Sequence, residues 1–329
     1  MKKFLHIISV CLLAHTAVYA YASKPLVVTT ASMFADMTRQ IAGELVKVRS
    51  IVPIGGDPHI YEPVPDDVAL ARQAQLILRN ELTFEGWLNE LIENSGTKAQ
   101  IVTITQGITP IQSAQYHNAT DPHAWMSAAN GLIYIRNIYQ SLLALLPQHR
   151  DTLEARYQRY ASQIQELDQW IFQQIDSIPP QWRILITSHD AFQYYGRRYG
   201  LQLESVLGTS TDADVRTADI MRLYQVLDKH QVPAIFIEST INPKLLQQVA
   251  KDKHVRIGGK LYADSLGPKD SPAGTYIGML QHNTRTIVRA LTGQHEAQLP
   301  IQPTPAWLWM ALGVVQIGSL LWISWHVWE

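Results

Sequence analysis

"HRDTLEARYQRYASQIQELDQWIFQQIDSI", residues 149–178, contains neither Gly nor Pro. Leu153, Tyr157, Tyr160, Ile164, Leu167, Ile171, Ile175 and Ile178 recur every three or four residues. That spacing predicts one long helix with an apolar stripe. At about 1.5 Å per residue it spans roughly 45 Å. A Gly/Ser linker would make a hinge at this place, whereas a helix makes a stiff strut.

The segments on either side of the strut read alike. Before it, "LVVTT" (26–30), "VKVRSIV" (46–52), "AQLILRN" (74–80) and "AQIVTIT" (99–105) alternate with helical stretches, the first from about residue 32. After it, "RILITS" (183–188), a helix from about 189, "LQLESVL" (201–207), "AIFIEST" (234–240) and "VRIGGKLY" (255–262) repeat the pattern. Short apolar strands alternating with helices predict parallel α/β sheets. The expected fold is therefore α/β, with two lobes, each a small parallel sheet flanked by helices. One long rigid helix joins them and the site lies in the cleft between. The expected boundaries are 23–148 for the first lobe, 149–178 for the connecting helix and 179–300 for the second lobe.

The ends of the chain are of another kind. "MKKFLHIISVCLLAHTAVYAYA" has a Lys2-Lys3 start, an apolar stretch and Ala-Tyr-Ala at 20–22. It reads as a cleavable signal peptide over 1–22, with an uncleaved anchor as the alternative. The single cysteine, Cys11, lies inside it. "AWLWMALGVVQIGSLLWISWHVW" (306–328) has no Asp, Glu, Lys or Arg, and Trp residues at both ends. A helix there would be long enough to cross a bilayer, so residues 305–328 are expected to be a C-terminal transmembrane anchor. A buried terminal helix or an oligomerisation helix is the other reading. The net charge of −1 and the absence of a basic run exclude nucleic acid as a partner.

Two loops repeat a tripeptide. "GGDPHIYEP" (55–63) and "DPHAW" (121–125) both place Asp-Pro before a His, with an aromatic residue two positions later. Proline fixes its own φ and pushes the preceding Asp towards an extended shape, so both loops hold an imidazole still. The second lobe offers His189 after the strand 183–188 and Asp264 after 255–262. Ligands of parallel sheets bind at the carboxyl ends of the strands. His59, His123, His189 and Asp264 are all expected there, two from each lobe. Three imidazoles and a carboxylate suit a divalent transition metal, with Zn²⁺ foremost. Taken singly, each has a blander reading: a hydrogen-bonded surface His, an Asp-Pro turn, or an Asp capping a helix. His6, His15, His117, His149, His230, His254, His282, His295 and His326 keep that reading.

With these motifs in fixed order, together with "DPHAWMSAANGLIYIRNI", "TSHDAFQYYGRRYG", "GTSTDAD", "IFIEST" and "LYADSLG", the chain resembles the cluster A-I solute-binding proteins. These are the receptors of zinc and manganese ABC importers. The resemblance covers about residues 25–292. It implies that His59, His123, His189 and Asp264 bind the metal. It also implies an ABC permease and its ATPase as partners, a monomeric protein, and a place in the periplasm or on the outer face of the cytoplasmic membrane. Manganese and iron receptors of this kind tend to carry Glu at the third position, so His189 favours zinc over the manganese alternative. The short "TITQGITPIQSAQYHNAT" (103–120) lacks the His-rich loop of many zinc receptors and weighs the other way. The C-terminal helix departs from the family pattern.

Two further functions compete. A metal-dependent hydrolase would use His59 and Glu62 of "HIYE". Four protein ligands would fill a tetrahedral shell that catalytic zinc keeps open, and neither HExxH nor GxSxG is present. A surface adhesin would need an exposed apolar patch. The expectation is a binding protein, not an enzyme.

Overall fold

A computed structural model describes residues 24–112, 120–212 and 215–293. The first lobe contains β1 (Leu26–Thr29), α1 (Ser32–Ala42), β2 (Lys47–Ser50), α2 (Pro65–Gln73), β3 (Leu76–Arg79), α3 (Leu88–Ser95) and β4 (Gln100–Thr103). These strands form one sheet in the order β2-β1-β3-β4, and every pairing is parallel. The central strands β1 and β3 are buried almost throughout, as strands covered on both faces must be. The edge strands β2 and β4 are half exposed, which is where Lys47, Arg49 and Gln100 are tolerated.

Two helices follow, α4 (Ala128–Leu145) and α5 (Arg150–Asp176). The second is the expected strut, about 40 Å long at 1.5 Å per residue. Leu153, Tyr160, Ile164, Leu167, Ile171 and Ile175 are buried along it, and Ile178 is buried just past its end. The stripe does more than stiffen a linker. One apolar core runs from Val27 and Phe34 in the first lobe, through Ile164 and Ile171, to Phe236 and Ile287 in the second. The lobes share a core and are not two bodies on a rod.

The second lobe contains β5 (Ile184–Thr187), α6 (Gln193–Tyr199), β6 (Gln202–Ser205), α7 (Thr217–His230), β7 (Ala234–Glu238), α8 (Lys244–Asp252), β8 (Arg256–Leu261) and α9 (Tyr276–Leu291). Its strands are parallel but form two ladders, β5-β6 and β7-β8, where one sheet was expected. A side chain links the ladders, because Glu238 at the end of β7 accepts the backbone N–H of His189 beyond β5 at 2.9 Å. The helix expected from about 189 begins at Gln193, so residues 188–192 stay irregular and present His189. Gly258 lets α9 lie directly on the second ladder, since a Cβ there would come within 2.7 Å of Ala290 and Phe236.

The signal peptide over 1–22, the tail over 305–328 and His117 all lie outside the described residues. Among the described residues no helix is long and apolar enough to cross a membrane.

Candidate metal centre

The repeated Asp-Pro-His has a local explanation. Asp57 Oδ1 accepts the backbone N–H of His59 at 3.0 Å, and Asp121 Oδ1 accepts that of His123 at 2.9 Å. In each loop the carboxylate folds back on the residue two positions on, as Asx turns do, and Pro stiffens the turn. The first loop is further held by Trp87, whose indole donates to Pro58 O at 2.8 Å. The second hangs from the end of β3, where Asn80 Nδ2 donates to Pro122 O at 3.0 Å. His123 was expected at a strand end, yet it stands twenty residues past β4 and directly before a short 3₁₀ turn, Ala124–Met126. Asn80 brings it back to the sheet.

His189 is set by Glu238, which accepts its N–H and stands 2.7 Å from its Nδ1. The second approach lacks the in-line geometry of a hydrogen bond and acts as an electrostatic contact. Asp264 follows β8, and the neighbouring Ala263 O accepts the indole N–H of Trp125 at 2.9 Å across the lobes.

The four expected side chains converge. One ligand atom from each of His59, His123, His189 and Asp264 can be chosen so that all lie within 4.8 Å of one another. His123 Nε2 is 3.1 Å from His59 Nε2, 3.3 Å from His189 Nε2 and 3.2 Å from Asp264 Oδ1. Asp264 Oδ2 is 3.2 Å from His189 Nε2, and its Oδ1 is 3.8 Å from His59 Nε2. Four donors held 2.0–2.1 Å from a tetrahedral centre would sit about 3.3–3.4 Å apart. These five separations, 3.1–3.8 Å, scatter around that edge, within a set whose widest spacing reaches 4.8 Å. His149, His230, His254 and His282 take no part in the cluster.

Electrostatics point the same way. His123 Nδ1 lies 2.7 Å from Asp121 Oδ1, so in the neutral imidazole Nδ1 carries the proton and Nε2 is the nitrogen left free for a metal. Asp121, Glu238 and Asp264 surround the three imidazoles, and all three are buried. Neutral imidazoles would leave that negative charge uncompensated, so the cluster requires a cation, either protons or a metal. Burial pulls the His123 imidazole down, but Asp121 and Asp264 outweigh it and raise it to about 9. Burial likewise opposes the charged form of His189, and Glu238 and Asp264 carry it well above its ordinary value. Burial pushes Asp264 up, but His189, His123 and His59 hold it well below the usual carboxylate range.

Sequence reading missed Asp121 and Glu238 as partners of the ligands, although both stood inside quoted motifs. Asp121 could have been found from the tripeptide, since an Asp two before a His is placed to cap it. Glu238 had a weaker signal, a carboxylate ending a strand in the same lobe as His189.

Residues 27–290 match the family described as zinc-uptake complex component A, periplasmic. The chain belongs to that family. It is 35% identical over 274 residues to the zinc-binding protein TroA of Treponema pallidum, covering 82% of this chain and 89% of that one. The solved structure of the periplasmic zinc-binding protein TroA superposes with a TM-score of 0.78 at 34% identity, over 82% of this chain and 99% of that one. The manganese-binding lipoprotein MntA of Bacillus subtilis is 34% identical over 278 residues, covering 82% of this chain and 91% of its own. The iron-binding protein YfeA of Yersinia pestis is 34% identical over 288 residues, with 87% and 92% covered. The chain is thus a metal-binding solute-binding protein of an ABC importer and not an enzyme, which sets the hydrolase reading aside. Relatives named for three metals share the family, so membership does not choose among them.

Proposed function

We propose that His59, His123, His189 and Asp264 hold the imported ion, that the ion is Zn²⁺, and that the loaded protein delivers it to its ABC permease outside the cytoplasm. The observation that carries this reading is the set of three Nε2 atoms and a carboxylate at separations near a tetrahedral edge. Three borderline nitrogens against one hard oxygen donor group favour Zn²⁺ over Mn²⁺. A manganese reading has one feature in its favour: both oxygens of Asp264 face imidazoles, Oδ1 towards His123 and Oδ2 towards His189. A bidentate carboxylate raises the coordination number, which suits a harder ion.

The test is metal analysis of protein purified without added metal, followed by Zn²⁺/Mn²⁺ competition calorimetry on the wild type. His59→Ala, His123→Ala and His189→Ala are each expected to weaken Zn²⁺ binding at least about tenfold, because a lost ligand opens the site to water. His117→Ala should change little. Equal losses from His117→Ala and His189→Ala would overturn the ligand assignment. A wild type that prefers Mn²⁺ in competition would overturn the zinc reading alone.

A further inference from the structure

The four ligand side chains are sealed from solvent, with His59 2% exposed and the others 0%. An ion reaches them only if something moves. Beside them lies a cavity of about 450 Å³, between the His59 loop of the first lobe and segments 206–211 and 240–246 of the second. Its lining holds none of the four ligands but three of their neighbours. Ile60 follows His59, Ser188 precedes His189, and the Thr240 hydroxyl donates to Asp264 Oδ2 at 3.4 Å. A divalent cation with six waters at about 30 Å³ each needs about 180 Å³, so it fits with its hydration intact.

Separating the lobes would be the harder movement. Trp125 Nε1 bonds Ala263 O, Tyr276 OH bonds Trp125 O, and Asp36 accepts the N–H of Tyr276. Ser32 accepts the N–H of Leu266, Tyr194 OH bonds Asp121 O, and Tyr199 OH accepts from Ala128 N–H. All six bonds cross between the lobes and are buried, and the shared apolar core lies with them. Across the cavity, by contrast, the lobes meet through a half-buried bond from the Thr211 hydroxyl to Asp57 Oδ2, at 2.7 Å, and at its base the same loop is tied once more, by Gly55 N–H to Ser265 Oγ at 2.7 Å. Asp57 Oδ1 holds the His59 N–H, so this bond ties the His59 loop to the far wall.

A second observation points into the same place. Ser188 lines the cavity and is 5% exposed, yet its Oγ has no hydrogen-bond partner among the described residues. A buried hydroxyl left without a partner is costly, and it becomes useful when a ligand supplies one.

We infer that this cavity is the vestibule through which a hydrated divalent cation reaches and leaves the four ligands. The Ser188 and Thr240 oxygens are its successive contacts, and the Thr211–Asp57 bond is the strap across it. The inference rests on the ligand assignment above. Neutral hydroxyls bind a hydrated cation weakly enough to pass it on, and the two charged groups of the lining, Asp57 and Lys244, offset one another. The lobes stay together while the ion moves.

The experiment is stopped-flow Zn²⁺ loading, and release to a fluorescent chelator, on the full-length chain and two variants. Thr211→Val keeps the shape and removes the strap. It should speed loading and release together by about fivefold, the factor one hydrogen bond imposes, with Kd unchanged. Ser188→Ala removes a hydroxyl that bonds nothing among the described residues. A merely structural role predicts an equal or higher Tm and unchanged kinetics, whereas the vestibule predicts both rates slowed about fivefold with Kd unchanged. If the wild type binds Zn²⁺ at equilibrium but both variants exchange it at the wild-type rate, the vestibule is wrong and the ligand assignment stands. If the wild type binds no Zn²⁺ at equilibrium, the ligand assignment fails first and the vestibule falls with it.

Discussion

Glu238 touches His189 at its N–H and at its Nδ1, and its negative charge helps hold that imidazole in the charged form or on a metal. Glu238→Gln keeps an acceptor for the N–H and removes the charge. Carboxylates behind a metal-bound imidazole commonly contribute about ten- to a hundredfold in metal affinity. Calorimetry on Glu238→Gln should therefore show Zn²⁺ affinity falling at least about tenfold, and the metal-free form, having lost the charge that raises His189, should melt lower than the wild type at neutral pH. Protons compete with the metal for the same lone pairs. With the His123 imidazole at about 9 in the metal-free site, metal must displace a proton at neutral pH. Zn²⁺ affinity should rise with pH from 7 through about 9, as the His123 proton is shed. The same shift has the opposite effect on the metal-free fold. A His raised above its unfolded value of about 6.5 stabilises fully below that pH, and the contribution is lost as pH climbs through the folded value. Melting the metal-free protein at pH 6 and pH 9 should show a loss on the order of 3 kcal/mol, which bound Zn²⁺ abolishes.

The loop from β3 to α3 is the element that backs the two imidazoles of the first lobe. Phe84 stands edge-on to His59, with centroids 5.2 Å apart, and near His123 at 6.3 Å. Buried Glu85 holds the loop in place, accepting from Thr30 Oγ1 at 2.6 Å, Asn80 N–H at 2.8 Å and Glu81 N–H at 2.9 Å. Burial pushes its carboxyl up to about 7 even against those three donors. To turn inside this frame, Glu81, Leu82 and Thr83 all adopt positive φ, at 63°, 54° and 66°. L-residues resist that region by about 1–2 kcal/mol each, and glycine does not. Glu81 is the one to change, because its side chain is 45% exposed and pairs only at the surface with Arg79. Glu81→Gly should raise the unfolding free energy by about 0.5–1 kcal/mol in urea melts, with Zn²⁺ affinity unchanged. A destabilised variant would mean that the left-handed turn carries no strain.

Across the whole molecule, the shared core decides how the protein unfolds. Ile164 and Ile171 of α5 pack in one cluster with residues of both lobes, and among the described residues at least six buried hydrogen bonds cross between them. Neither lobe can expose its side of that core without the other losing its cover. Calorimetry of the metal-free protein should show one cooperative transition for the described body and not two. On the proposed ligand set both lobes must be folded to hold Zn²⁺, so the ion should shift that single transition upward, by about 4 kcal/mol at a thousand times Kd. Two separated transitions, with only one of them metal-sensitive, would show that the lobes fold independently.

The strut, the strands and the four side chains that cluster in the cleft were all legible in the sequence, because periodicity and residue type are local properties. The stripe from Leu153 to Ile178 announced α5 within two residues of its ends, and the apolar runs marked every strand. Asp-Pro-His likewise encoded its own turn, since Asp57 and Asp121 cap residues only two positions away. What the sequence left open involves residues far apart in the chain. Glu238 meets His189 across 49 positions and Glu85 meets Thr30 across 55, pairings that exist only because parallel strands bring their carboxyl ends together. The split of the second lobe into two ladders, the hanging of the His123 loop from Asn80, and the continuous core are of the same kind. So is the demand of the site for a cation. It comes from three carboxylates buried around three imidazoles, and burial is a property of the packed whole, where little water remains to screen their charge.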